Sequence, residues 1–292
     1  MNTIHSQNPF CLEPIKVLAK FFGREKETRR VLVDFLHQGQ CVSITGPAKI
    51  GKTSFLFYVA HPYVRGQHGL AREQIFVHLD GRSLTNLHEG ECYLHIREEA
   101  IRQIKSTVAV ERDVGIRLEE MVREASSTTA HYGLRTMFRS AQACGLKLVI
   151  ALDNLDALNQ NRFLGAYFFS ALRSLHTNYD MAYLVASQSP LDELERICPE
   201  GPGSPFFNIF QQITLGRFRE EESRRLVVIL LDLAGAKCPD FVTDCILELG
   251  RNEPCRLQRA GHSAFQVWQE NQGDLQVEHW EEIRQRFEGM KA

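Results

Sequence analysis

The residues with the most specific chemistry are eight in a row, Gly46-Pro47-Ala48-Lys49-Ile50-Gly51-Lys52-Thr53. They match G-x-x-x-x-G-K-[ST], a phosphate-binding loop in which glycines permit the tight turn that lets backbone N–H groups wrap phosphate oxygens. The pattern places Lys52 to reach the β- and γ-phosphates of ATP and the Thr53 hydroxyl to ligate Mg²⁺. Ser54 follows them into a helix whose positive N-terminal end favours the anion.

A second constellation is the apolar run Lys147 to Leu152 followed by Asp153. This is the Walker B form, in which a strand-end carboxylate holds Mg²⁺ through water beside Thr53. By itself such an aspartate would also suit a helix cap. The loop upstream favours the metal role. The next residue, Asn154, can orient a water but cannot accept its proton, so slow hydrolysis is expected. Asp156 lies near enough in sequence to substitute, or serves as a helix-start acid, and both readings stand. Gln188, in the polar end Ser187-Gln188-Ser189 of a fourth strand between the first and third, is the candidate γ-phosphate sensor. An amide bonding its own backbone is the plainer alternative.

The elements that must position these residues are legible from apolar periodicity. Arg24 to His37 reads as an amphipathic helix with Val31, Leu32, Phe35 and Leu36 on one face, ending at Gly39. Strands are expected at Gln40 to Thr45, Gln74 to Leu79, Lys147 to Leu152, Met181 to Ala186 and, more weakly, Gln212 to Leu215. Helices are expected at Lys52 to Tyr63 and Arg162 to His176, and the Pro/Gly cluster Pro199 to Pro205 reads as a surface loop. Apolar strands alternating with helices imply an α/β fold with a parallel sheet covered on both faces. From Arg217 onward only helices are expected, at Glu220 to Ala234, Asp240 to Leu249, Pro254 to Glu270 and Val277 to Phe287. The expected domains are therefore a nucleotide-binding α/β domain over residues 1–216 and a helical domain over 217–292.

Composition narrows the class. With 292 residues, 43% hydrophobic and 24% charged, the chain is an ordinary globular sequence. A formal charge of −2 gives no global attraction to nucleic acid or anionic lipid. The eight cysteines form no C-x-x-C pair and no zinc-ligand spacing, so they read as reduced, with Cys41 and Cys144 as small core residues, and a cytoplasmic protein fits. No apolar run reaches the ~20 residues of a membrane span, and no signal peptide opens the sequence.

Taken together, these motifs resemble the STAND ATPases and their AAA+ initiator-like relatives, over most of the chain. Phe21-Phe22-Gly23-Arg24-Glu25, with Glu27, resembles the family's hhGRExE entry motif. That resemblance implies that Phe22, Gly23 and Arg24 lie against the adenine and that segment 21–39 leads into the helix before the loop. Leu215-Gly216-Arg217-Phe218, with Glu221 and Glu222, resembles the segment where the sheet ends and a helical lid begins. Gly250-Arg251-Asn252-Glu253-Pro254, followed by Leu257 and Gln258, resembles a degenerate GxP motif whose Pro254 contacts the base. Two positions depart from the family: it commonly has an arginine where Gln188 falls and an acid where Asn154 falls.

The resemblance implies a five-stranded ASCE/AAA+ sheet between helices with a small helical lid. It also implies an ATP-dependent conformational and oligomerisation switch in signalling or defence, working with Mg²⁺ as a homo-oligomer or with a protein partner. A DNA-associated AAA+ regulator or loader is one alternative, not favoured by the charge. A module that holds ATP without turnover is the other, and Asn154 is its support.

Overall fold

The apolar runs that bracket the phosphate loop become strands of one sheet, because strands buried on both faces need continuous rather than alternating apolar sequence. The computed structural model describes residues 7–70, 74–108, 129–197 and 206–290. In chain order, α1 (Glu25–Arg29) continues as a π-helical stretch (Arg30–Phe35) and a 3-10 turn (Leu36–Gln38), followed by β1 (Cys41–Thr45). Next come α2 (Lys52–Ala60), α3 (Pro62–Gln67), β2 (Gln74–Asp80), α4 (Glu89–Val108), α5 (Ala130–Ala143) and β3 (Lys147–Asp153). The chain goes on through α6 (Leu155–Asn159), α7 (Ala166–Asn178), β4 (Met181–Ser187), α8 (Leu191–Ile197) and β5 (Phe210–Thr214). It finishes with α9 (Glu220–Leu233), α10 (Asp240–Gly250), α11 (Pro254–Glu270) and α12 (His279–Gly289). The loop expected over Pro199 to Pro205 lies outside the described residues.

The elements gather into two compact units, one of Lys26–Gly46 with Val59–Thr214, the other of Met1–Glu25, Pro47–Tyr58 and Leu215–Ala292. The first holds the sheet, with strand order β2-β3-β4-β1-β5 and every adjacent pair parallel. β1, β3 and β4 are almost wholly buried. Edge strand β5 exposes Gln211, Gln212 and Thr214 and buries Ile213, so unlike the central strands it is largely open to solvent. β4 lies between β1 and β3, where the fourth strand was expected.

In the second unit α9 to α12 close around one apolar core. Leu226, Leu230, Ile246, Leu257, Phe265 and Phe287 fill it, at the 3.6-residue spacing of amphipathic helices. The N-terminal segment joins this core. Phe10 is buried in it, the Cys11 N–H donates to Gln258 Oε1 at 2.8 Å, and Asn8 Nδ2 donates to the His262 carbonyl at 3.1 Å.

Several boundaries differ from the sequence reading. The helix expected over Lys52 to Tyr63 breaks after Ala60, because Pro62 disfavours helical backbone at His61, which is extended at ψ 129°. Pro62 then opens α3, and His61 Nδ1 caps it by accepting from the Tyr63 N–H at 3.2 Å. Arg24, at φ 68°, precedes its helix rather than starting it. Phe35 is only half-buried beside the buried Val31, Leu32 and Leu36, since the π-helical turn rotates it off their face. The helix expected from Arg162 starts at Ala166, after the extended Gly165. β5 begins at Phe210, earlier than Gln212, and Leu215 lies just past its end.

Candidate nucleotide-binding site

β1 delivers the chain into the phosphate loop, and α2 begins at its lysine. The backbone turns through three residues of positive φ, Gly46 at 148°, Lys49 at 64° and Gly51 at 97°. Two of the three are glycines, which take such angles without steric cost. Turns of this kind set successive N–H groups into anion-binding concavities. Ile50, buried, pins the loop from beneath, while Pro47, Ala48 and Lys49 are exposed. Lys52 arches back so that its Nζ donates to the Pro47 carbonyl at 2.9 Å. Thr53 is half-buried one residue on, in the first turn of α2. Ser54 is engaged elsewhere: its Oγ accepts the Ile15 N–H at 2.9 Å, which ties the N-terminal segment to the first turn of α2.

The same segment reaches the entry motif. Phe21 stacks on Tyr58 of α2 with ring centroids 4.0 Å apart, and burial, then the Glu25 carboxylate, raise the Tyr58 phenol above its ordinary value. Phe22 packs against the helical core. Gly23 and Arg24 follow each other in left-handed backbone, at φ 72° and 68°. A Cβ on Gly23 would meet the Phe218 ring at 3.2 Å, tighter than ordinary packing. The Arg24 guanidinium is buried, donates to the Gly216 carbonyl at 2.5 Å and lies 4.7 Å over the Phe218 ring. It therefore clamps the segment between β5 and α9. The Phe218 N–H donates to the Asn252 carbonyl at 2.9 Å, and Arg217 pairs with Glu253 at 2.7 Å. Arg251 and Asn252, at φ 48° and 59°, end α10, and Pro254 opens α11 at its first turn. Gly250 is required here, because a Cβ on it would collide with the Leu257 side chain.

In the sheet unit, Asp153 is 3% exposed at the end of β3 and accepts the N–H of Asn154 at 2.9 Å. Asn154 takes left-handed backbone, φ 53° and ψ 48°, which asparagine tolerates better than most residues. Its Nδ2 donates to Asp80 Oδ1 at 2.9 Å. Asp80 ends β2 in direct register with Asp153, and the sequence reading missed it because the strand appeared to stop at Leu79. A strand-end carboxylate next to another was the signal, but only the pairing of β2 with β3 makes the two neighbours. Burial pushes the Asp80 carboxyl up. The Arg82 N–H, the Asn154 amide and the Arg82 guanidinium outweigh it and hold the group below the ordinary aspartate value.

Asp156 is occupied: Oδ2 accepts the Gln188 N–H at 2.7 Å and Oδ1 accepts the Ser189 N–H at 3.1 Å. Asp156 does lie in the first turn of α6, as the helix-start reading has it, but its bonds fix the end of β4, a role that neither reading anticipated. Gln188 itself is exposed there, and the Ser187 hydroxyl donates to the Ser189 carbonyl at 2.7 Å.

Among the described cysteines Cys41, Cys92 and Cys245 are buried, whereas Cys11, Cys238, Cys255 and also Cys144, expected in the core, are only partly so. Burial pushes Cys41 up to about 12 against the opposing Tyr183 N–H, and Cys245 reaches about 12 through burial with help from Glu248. Such thiols are poor nucleophiles. Among the described residues no group of three or more His, Cys, Asp or Glu is arranged to hold a metal by itself, and no helix is long and apolar enough to cross a membrane.

Comparison with known proteins agrees with this layout. No curated protein matches the chain in sequence. Similar solved structures include the Aeropyrum pernix ORC2 protein in ADPNP–ADP complexes, at a TM-score of 0.70 and 12% identity over 96% of this chain and 72% of that one. The Walker-type ATPase PABY2304 of Pyrococcus abyssi superposes at 0.61 with 17% identity, over 96% of this chain and 75% of that one. Domain III of the Thermotoga maritima replication initiation protein DnaA superposes at 0.59 with 13% identity, over 96% of this chain and all of that one. At these identities the likeness establishes the AAA+ fold. The family model described as Novel STAND NTPase 2 matches residues 103–289, more than half of the chain, and its match begins beyond the phosphate loop, so the two signals are independent. The chain belongs to that family, Novel STAND NTPase 2, and is a P-loop NTPase of the STAND and AAA+ type.

Proposed function

We propose that the chain is an ATP-dependent conformational and oligomerisation switch with slow hydrolysis, acting in signalling or defence. In this reading Gly46 to Ser54 cradle the triphosphate, with Lys52 on its β- and γ-phosphates. Thr53 and Asp153 hold Mg²⁺, Asn154 orients water, Gln188 senses the γ-phosphate, and Phe22, Gly23, Arg24 and Pro254 border the adenine. The domains are those expected from sequence, residues 1–216 for the nucleotide and 217–292 for the lid. The residues suit the group: a positive-φ backbone turn, a lysine and a hydroxyl form one cradle, and a buried strand-end carboxylate supplies the hard oxygen that Mg²⁺ prefers. Bound Mg²⁺ would neutralise charge building on the phosphates during transfer.

The observation that carries the reading is the company the loop keeps. Pro47–Tyr58 belong to the same compact unit as Leu215–Ala292, and Ser54 and Tyr58 bind the N-terminal segment that also seals the helical core. A nucleotide on the loop therefore acts on the helical unit through contacts already in place. It shifts a conformational equilibrium only by its differential affinity for the states, and these contacts supply a route for that difference. Calorimetry with Mg-ATP, paired with light scattering with and without nucleotide, tests it. The expected result is binding, a change in oligomer size and turnover below about 1 s⁻¹, the low end of ordinary enzyme rates. No heat with Mg-ATP would end the proposal.

A further inference from the structure

The residue after the Walker B aspartate can orient a water but cannot accept its proton, so a general base, where the site uses one, comes from elsewhere. Asp156 has both oxygens engaged by backbone N–H groups. Asp80 differs in kind. Three donors converge on one of its oxygens: Asn154 Nδ2 at 2.9 Å, the Arg82 N–H at 2.9 Å and Arg82 Nε at 3.3 Å, all to Oδ1. Among the described residues none of these bonds goes to Oδ2, and the side chain is 42% exposed. The carboxylate is thus anchored by one oxygen, on a side chain that is partly open to solvent.

Backbone packing fixes the position. Asp80 and Asp153 are register partners at the ends of β2 and β3. Gly81 follows directly, and a Cβ there would run into the Asn154 carbonyl and lie 3.0 Å from that of Asp153. All five strands run parallel, so the ends of β2 and β3 share one edge of the sheet with the end of β1, which leads into the phosphate loop.

We infer that Asp80 is the proton acceptor for the attacking water, with Asn154 as the positioning residue that aims it. This rests on the reading that the chain binds and hydrolyses ATP. A water proton passes to Asp80 Oδ2 as the water oxygen bonds the γ-phosphorus. The bond from that phosphorus to the bridging oxygen breaks, and ADP leaves with the electron pair. The proton then departs to solvent, so ATP and water give ADP, phosphate and a proton. The three donors on Oδ1 draw charge away from the carboxylate and keep it a weak base, which agrees with slow turnover.

The exchange of partners supplies the test. With the full chain, Mg-ATP binding is measured by calorimetry, phosphate release by a steady-state assay and folding by thermal melting. Asp80→Asn should bind Mg-ATP and melt as the parent does while hydrolysis falls about 100-fold, the lower range for a lost general base. The double variant Asp80→Asn with Asn154→Asp, which moves the carboxylate across the same hydrogen bond, should regain about tenfold over Asp80→Asn. A purely structural role for Asp80 predicts instead that Asp80→Asn lowers the melting midpoint or Mg-ATP binding along with hydrolysis. Should Asp80→Asn fail to fold, Asn154→Ala takes its place: it leaves the carboxylate but removes its aim, and hydrolysis should fall about tenfold with binding intact. An unchanged rate in the folded single variants, or a folded double variant no faster than Asp80→Asn, overturns the inference. So does a parent chain that binds Mg-ATP without any turnover, whereas a parent that binds no Mg-ATP overturns the proposed function instead.

Discussion

Phe10 occupies the space that any side chain on Gly261 would need. A Cβ built on Gly261 would collide with the Phe10 ring, although the two residues lie near opposite ends of the chain. Gly261→Ala should therefore either evict Phe10 from the helical core or strain α11. Overpacking of this kind costs about 1 to 3 kcal/mol. Thermal unfolding should show a lower midpoint for this variant, and an unchanged midpoint would mean that Phe10 does not seal the core.

Lys52→Ala should reduce Mg-ATP affinity about 100-fold, in line with losing a charge-assisted hydrogen bond to phosphate. Asp153→Ala should abolish the Mg²⁺ dependence of binding while the chain stays folded. Calorimetry with and without Mg²⁺, beside circular dichroism, checks both. Tight, Mg²⁺-dependent binding in the two variants would remove the site assignment.

Glu222 gives a pH signature. Burial pushes its carboxyl up, but the Arg219 N–H at 2.7 Å, the Arg219 guanidinium and the more distant Arg24 outweigh it and hold the group below its ordinary value. A depressed carboxylate contributes stability that is present above its unfolded pKa and is lost as pH falls through the folded one. The loss should begin near pH 4.5 and grow below it, since unfolded glutamate titrates at about 4.3. Denaturant midpoints at pH 7 and pH 3 should converge for Glu222→Gln relative to the parent. An equal drop in both proteins would show that this cap of α9 contributes no linkage.

Gly81→Ala should force apart the ends of β2 and β3, because its new methyl would meet the Asn154 carbonyl, which is backbone and cannot turn aside. A destabilisation of about 1 to 3 kcal/mol is expected. Loss of turnover should accompany it, since Asp80 and Asn154 would separate. Melting and phosphate release measured on one preparation would decide this. A variant as stable and active as the parent would show the two strand ends to be independent.

Much of this was legible in the sequence because it is local. Lys147 to Asp153 reads as a buried strand ending in an acid, and Gly46 to Thr53 as a loop, from neighbours alone. The four C-terminal helices were equally plain from their apolar spacing, to within two residues at either end. What stayed hidden is non-local. Asp80 became part of the site only through its register with Asp153, and Phe10 joined the helical core only through a partner some 250 residues away. No periodicity encodes such pairings. The break before Pro62 was written in the sequence and outweighed by the apolar run around it.

One unit is continuous but for the phosphate-loop segment, whereas the other is assembled from the first, a middle and the last stretch of chain. Made from N- to C-terminus, the sheet has all five strands once Thr214 has been synthesised. Phe10 and the start of α2 must wait for Leu215–Ala292 before their unit can be completed. Until then the Phe10 ring stands without the helical core that buries it. The nascent chain should gain its full nucleotide-binding competence only after the stretch Leu215–Ala292 has been made.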